Sequence, residues 1–329
     1  MWRGIEVTKN ESDPKALAHV ELSEELDDSI LMPGGVTIDV EYSSLNYKDG
    51  IALTGRPGIV REPHLIAGID LVGVVAASED PRFIVGKRVL VNGCGLGETH
   101  HGGLAERARV PGDWVIPVPT GMSNHQAAAI GTAGFTAMLA VLAIERAGIF
   151  GDVLVTGATG GVGSIAIALL DHLGFRVTAS TGQNTEHDYL RQLGATTIID
   201  RAELSAEPRA LMTQRWSGVI DAVGGTTLAS AIAGTRYGGT VTACGNAQSS
   251  ELHTSIMPLI LRGVSLVGIN SVFTPRPLRE EAWDRLHRDL DLSLLAETTS
   301  TISLSDTIAA GADIVAGRIR GRTVVDVHR

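Results

Sequence analysis

The chain has 329 residues, which gives room for two domains with separate cores, because single cores seldom grow past about 250 to 300 residues. Its apolar share of 44%, charged share of 19% and 39 glycines exclude a disordered or fibrous chain and fit a packed α/β protein rich in tight turns. The formal net charge of −10, with no concentrated basic face, speaks against nucleic acid as a partner, so any phosphate-bearing ligand must meet local cations.

Taken in chain order, the first 120 residues hold short β-rich runs at 36–42 (VTIDVEY), 71–76 (LVGVVA) and 88–92 (RVLVN), punctuated by Gly, Pro and Asp turns. They predict a compact, mostly β, barrel-like unit. Residues 127–144 (AAAIGTAGFTAMLAVLAI) carry no charge over a length close to a bilayer span. The small residues that open the run and the polar flanks Asn124, His125 and Glu145 favour a helix buried between domains, with no membrane partner.

The texture changes from Asp152. A buried-strand run (VLVTG), a glycine loop, an apolar helix over 164–173 and a second strand over 176–180 set a βαβ theme. The alternation continues with a helix at 186–193, strands at 196–200 and 218–223, a helix at 228–235, and strands at 240–245 and 265–270. Six parallel strands predict a doubly wound sheet. After a helix over 279–290, a β-like run at 322–327 is expected to return to the first domain and make it discontinuous. No internal repeat or low-complexity tract interrupts this order. Only Cys94 and Cys244 are present, and the N-terminus lacks the order of a secretory signal, which points to a reducing cytoplasm.

The run from Gly157 through Gly160, Gly161, Val162 and Gly163 follows a strand and opens a helix, the context in which glycines cradle a pyrophosphate. Small residues there allow the tight turn and the approach of backbone N–H groups, and the helix N-terminus adds partial positive charge. The second strand ends in Ser180, Thr181, Gly182 and Gln183, with no carboxylate to favour an unphosphorylated ribose. Arg201, just past the third strand, can reach the same edge, so NADPH is the expected cofactor.

A metal is not expected. Two distant cysteines cannot build a structural zinc site, and a catalytic zinc needs about three ligands. His100 and His101 with Glu98 nearby form the only suggestive cluster, and adjacent side chains on a loop tend to diverge.

The segments Ser44–Asp49, Gly68–Asp70, Gly102–Glu106, Gly131–Ala137 and the glycine loop together resemble the medium-chain dehydrogenase/reductase superfamily. The strings SSLNYKDG, GGLAERARVPGDW, IGTAGFTAM, VTGATGGVGS and MPLILRGVSLVGINSV are similar to its zinc-free acryloyl-CoA reductase branch, often labelled quinone oxidoreductases. The resemblance implies a GroES-like catalytic domain over 1–122 and 295–329 and a Rossmann domain over 123–294. Zinc-bearing relatives have a cysteine near Asn46 and Gly-His-Glu where this chain reads Gly68-Ile69-Asp70.

The implied reaction is NADPH-dependent reduction of a thioester's conjugated double bond, with hydride going to the β-carbon and a proton to the α-carbon. Tyr47 is then expected beside the nicotinamide, with Asn46 offering an amide donor to the carbonyl or cofactor and Asp70 orienting Tyr47 or a water. Lys48 and Asp49 complete the expected polar network. The family's cofactor contacts carry over to Tyr47, Gly160, Gly161, Val162, Gly163, Thr181, Gly182, Gln183, Arg201, Asn246, Ile260 and Ser271. Relatives show Ser-Gly-Arg where this chain has Thr181-Gly182-Gln183, which leaves Arg201 more of the phosphate discrimination. Arg56, Arg61, Arg107 and Arg276 are expected to form a basic rim for an acyl-CoA substrate, and the strand near 265–272 to pair two copies into a homodimer. A quinone or 2-enal reductase, and a noncatalytic NADPH-binding protein, remain open alternatives.

Overall fold

The computed structural model describes residues 1–10, 12, 13 and 15–329, which fall into two compact units. The first comprises residues 1–132, 271–283 and 295–329, and the second residues 133–270 and 284–294.

The first unit is mostly β. Its larger sheet runs in the order Thr299–Ser303, Arg322–Asp326, Val36–Ser44, Asp70–Ser78, Arg88–Asn92 and Ile116–Pro117, and Arg107–Val110 also pairs with Val36–Ser44. In Val36–Ser44 the fully buried Val36, Ile38 and Val40 alternate with Asp39 and Glu41, the period-2 pattern of a sheet with one buried face. The C-terminal strand closes onto it antiparallel, Val325 opposite Ser43. A three-stranded sheet is made by Trp2–Thr8, His19–Leu26 and His64–Ile66. His19–Leu26 reads HVELSEEL, too polar to announce itself as a buried strand.

The uncharged run lies in the helix Asn124–Arg146, which is long and apolar enough to cross a membrane, yet 89% of its apolar window is buried in the protein. The helix breaks at Gly131, whose φ of 50° and ψ of −160° are open to glycine and strained for other residues.

The second unit is the doubly wound one. Its six strands are all parallel, in the order Ala195–Asp200, Arg176–Thr181, Asp152–Val155, Trp216–Asp221, Thr235–Ala243 and Ser265–Gly268. Chain order reverses at Asp152–Val155, so the loop leaving that strand sits at the topological switch point, where open α/β sheets bind ligands. Leu154, Val219 and Val241 stand fully buried in the sheet, with Leu228 and Ile232 of the helix Gly225–Ala233 packed in the same core.

Candidate active site

In the first unit, polar side chains converge on Asp70, which is 1% exposed. Asp70 opens the strand Asp70–Ser78 directly opposite Asn92, and this cross-strand pairing lets Asn92 Nδ2 donate to Asp70 Oδ1 at 2.7 Å. Thr132 Oγ1 donates to the same oxygen at 2.5 Å. Asp70 Oδ2 accepts from Ser44 Oγ at 2.6 Å, Asn46 Nδ2 at 2.8 Å and the Thr132 N–H at 2.9 Å. Five donors on one group call for an ionised carboxylate, which accepts at both oxygens.

Asn46 precedes the helix Tyr47–Leu53 in an extended conformation, and Asp49 reaches back to accept its N–H at 2.8 Å, half of a capping box. Asp49 Oδ2 also accepts from Asn46 Nδ2 at 3.0 Å, and Asp49 Oδ1 from the Ile69 N–H at 2.9 Å. Burial, and then repulsion from Asp70, push the Asp49 carboxyl up to about 7. Both hydrogens of the Asn46 amide thus face oxygens of Ser44, Asp49 and Asp70, which leaves none for a substrate carbonyl in this arrangement. Asp70 orients Asn46, Ser44, Asn92 and Thr132, whereas Tyr47 is 41% exposed and its hydroxyl has no partner among the described residues. Beside it, Lys48 Nζ pairs with Glu98 Oε1 at 2.7 Å.

The histidine pair is buried, not superficial. His101 accepts from the Ile66 N–H at 3.1 Å through Nδ1 and donates from Nε2 to the Ile30 carbonyl at 3.0 Å. Burial pushes its pKa down to about 4. His100 meets Trp114 edge-on at 5.1 Å. Two members of the expected basic rim are already engaged: Arg107 with Asp39 at 2.9 Å and Asp28 at 3.1 Å, and Arg276 with Glu280 at 2.8 Å. Arg56 and Arg61 are exposed.

In the second unit residues 160–163 and 181–183, Arg201 and Asn246, expected to hold the dinucleotide, lie at or just after the carboxyl ends of parallel strands and so share one edge of the sheet. The helix Gly161–His172 starts after Gly160, and a Cβ on Gly163 would come within 2.4 Å of the Gly157 carbonyl oxygen, so loop and helix fit only with glycine there. Thr181 ends its strand, accepting the Gln183 N–H at its Oγ1 and the Arg201 N–H at its carbonyl. The Arg201 side chain lies across Gly182, where a Cβ would fall 2.3 Å from Nε. Asn246 lies beside Gly224 on the loop after Thr235–Ala243. Ile260 projects from the short helix Met257–Arg262, 63% exposed. Ser271 belongs to the first unit, where its carbonyl accepts from buried Arg279.

Three anchors lay outside the sequence reading. Asp221 accepts from Thr156 Oγ1 at 2.6 Å and the Gly224 N–H at 2.8 Å, tying the start of the glycine loop to the neighbouring turn. Tyr189 donates to Ser164 Oγ at 2.8 Å, fastening the loop's helix from behind. Arg322 is buried beside Asn46. A charged residue inside an apolar run (GVIDAV, GRTVVDV) is the signal that marks the first and the last.

Residues 32–120 match the family described as alcohol dehydrogenase GroES-like domain, and residues 161–288 that described as zinc-binding dehydrogenase. The probable acrylyl-CoA reductase AcuI of Escherichia coli (strain K12) is 49% identical over 321 residues, 97% of this chain and 98% of that protein. The chain belongs to the acrylyl-CoA reductase family of the medium-chain dehydrogenases/reductases. Within this family the acrylyl-CoA reductase AcuI of Ruegeria pomeroyi is 44% identical over the full length of both chains. The putative quinone oxidoreductase YhfP of Bacillus subtilis is 43% identical, covering 99% of this chain and 98% of its own. Among solved structures, the yhdH oxidoreductase of Salmonella enterica in complex with NADP superposes with a TM-score of 0.94 at 49% identity, over 99% of each chain. Bacillus subtilis yhfP with NAD bound gives 0.92 at 43% identity, again over 99% of each.

One of the matched family descriptions implies zinc, and the residues do not fit it. Among the described residues no three His, Cys, Asp or Glu side chains are grouped to hold a metal. Asp70 already receives five hydrogen bonds, and Asn46 turns its amide nitrogen, not an electron pair, toward the centre.

Proposed function

We propose that this protein is an NADPH-dependent acryloyl-CoA reductase, which saturates the conjugated double bond of a short 2-enoyl thioester to give propionyl-CoA. The full-length identity of 49% and 44% to proteins named acrylyl-CoA reductase carries this reading. NADPH, when bound, supplies the hydride to the β-carbon. Negative charge then develops on the thioester oxygen, and a proton is added at the α-carbon.

In this reading Gly160, Gly161, Val162 and Gly163 present backbone N–H groups and a helix N-terminus to the pyrophosphate. Thr181, Gly182, Gln183 and Arg201 take the phosphorylated ribose, with the Arg201 guanidinium as the phosphate donor. Asn246, Ile260 and Ser271 line the rest of the cofactor. Tyr47 contacts the nicotinamide, and its free hydroxyl is the donor for the developing enolate oxygen. Asn46 and Asp70 hold the helix that presents Tyr47, rather than donating to the substrate themselves.

Following NADPH absorbance with acryloyl-CoA, crotonyl-CoA, a quinone and a 2-enal tests the reading. Turnover confined to the thioesters supports it. Turnover confined to quinone or enal supports the second reading, favoured by the name of the Bacillus subtilis relative. No oxidation with any acceptor leaves only a binding role.

The same reading includes a homodimer. Ser265–Gly268 is an edge strand, and Leu266 on it and Leu261 of the preceding helix are exposed. Light scattering after size exclusion tests it. A reducing cytoplasm suits the two free thiols, Cys94 and Cys244.

A further inference from the structure

We infer that Arg322 is a positioning residue for the reaction: from the C-terminal strand it fixes the amide of Asn46, and through Asn46 and Asp49 the start of the helix that carries Tyr47. The inference rests on the reading above only in giving Tyr47 a part in the reduction.

Arg322 is 3% exposed, an expensive place for a guanidinium unless its charge is matched and its donors are used. Its Nε donates to the Ala129 carbonyl at 2.7 Å, an acceptor left by the helix break at Gly131. Nη1 points at Asn46 Oδ1 at 3.3 Å and the Leu45 carbonyl at 3.5 Å. Nη2 is buried with no partner among the described residues, and a Cβ on Gly131 would come within 2.9 Å of it. Only glycine therefore lets the guanidinium close on this site.

The consequence lies in the Asn46 amide, whose two ends are chemically different and nearly equal in size. With a guanidinium at Oδ1 and two carboxylates at Nδ2, only one orientation avoids like-to-like contacts. That orientation is the one in which Asn46 bridges Asp49 and Asp70. Without Arg322, Oδ1 would lose its charged donor, and the two buried carboxylates would lose the buried cation on the Asn46 side, leaving Arg279, which donates to the Asn92 carbonyl, on the far side of Asp70.

The charged groups acting on Asp49 are Asp70 and, across the Asn46 amide, Arg322. Lys48 on the same helix is paired with Glu98, and Asp313 of the adjoining helix Thr307–Val315 with Arg318 at the surface. All three groups bonded to Asp49 are N–H donors, so the ionised form is the one that holds the helix start. Protonation on acidification should slacken it, giving kcat an acid limb near pH 7. Removing the Arg322 cation should move that limb to higher pH.

The test compares Arg322→Met and Arg322→Lys with the wild type for kcat, KM for acryloyl-CoA and NADPH, the pH profile of kcat, and amide hydrogen exchange of residues 45–53 by mass spectrometry. R322M is expected to lower kcat about tenfold or more with KM for NADPH within about twofold, to raise the acid limb, and to speed exchange in 45–53. R322K, which keeps the charge but cannot reach Ala129 and Asn46 together, is expected to lower kcat and leave the limb in place. Wild-type kcat and exchange in R322M would overturn the inference. So would a loss of kcat that merely follows the folded fraction, with the limb unmoved. If R322M does not fold, R322K decides, since wild-type kcat in that variant is equally contradictory. A wild-type enzyme inactive with every acceptor would defeat the proposed function, while exchange in 45–53 would still judge Arg322.

Discussion

Asn46 Nδ2 donates to Asp70 Oδ2 at 2.8 Å, and this bond joins the start of a helix to the start of a strand 24 residues further on. Asp70 is the acceptor for every donor around it, so a neutral amide in its place would set an NH2 group against N–H and O–H donors. Asp70→Asn is expected to destabilise the fold by about 2 to 5 kcal/mol in urea titrations, because buried donors lose their acceptor and Arg322 loses a countercharge. A change below about 0.5 kcal/mol would show that the hub contributes little.

Arg201 lies over Gly182 past the end of the second strand of the parallel sheet. A charge-assisted hydrogen bond to phosphate is worth about 1.5 to 3 kcal/mol, so Arg201→Ala should weaken kcat/KM for NADPH roughly 10- to 100-fold and leave NADH within about twofold. Gly182→Ala pushes the same guanidinium aside and should show the same selective loss in a milder form. Equal losses for both cofactors would mean that Arg201 does not read the phosphate.

Tyr47 is exposed and its hydroxyl has no partner among the described residues, so the hydroxyl contributes little to the fold. Tyr47→Phe should keep the melting temperature and the NADPH KM while lowering kcat by about 100-fold, the scale of losing one donor to a developing oxyanion. Steady-state kinetics showing unchanged kcat would remove Tyr47 from the chemical step.

His101 is held neutral between the Ile66 N–H and the Ile30 carbonyl, its pKa lowered from 6.5 to about 4 by burial. The unfolded chain binds this proton first as pH falls. Stability from the neutral ring is therefore complete above pH 6.5 and is lost as pH drops toward 4, by about 3 kcal/mol. Denaturation across that window should show a smaller pH dependence in His101→Gln than in the wild type, and parallel curves would contradict the assignment.

The second unit was the more legible of the two. Short β-rich runs alternate there with helical ones, and the glycine loop falls between the apolar strand Asp152–Val155 and a helix, so local pattern and global topology agree. The Asp70 centre was only half legible. Its donors come from positions 44, 46, 92 and 132, and Arg322 from 322, distances over which no local spacing rule operates. Thus Asn46 was expected to donate to the carbonyl or the cofactor and Asp70 to orient Tyr47 or a water, and their bond to each other was not foreseen. Arg107 and Arg276 show the same limit, because their partners Asp28, Asp39 and the Val115 carbonyl become neighbours only on folding.

The central claim is hydride transfer from NADPH to the β-carbon of acryloyl-CoA, and NADPH carrying deuterium at the transferred position reports it directly. Incubation with acryloyl-CoA should consume the cofactor and yield propionyl-CoA with a single deuterium on its terminal carbon, read by mass spectrometry and NMR. Propionyl-CoA labelled elsewhere, or cofactor left unoxidised, would contradict the account.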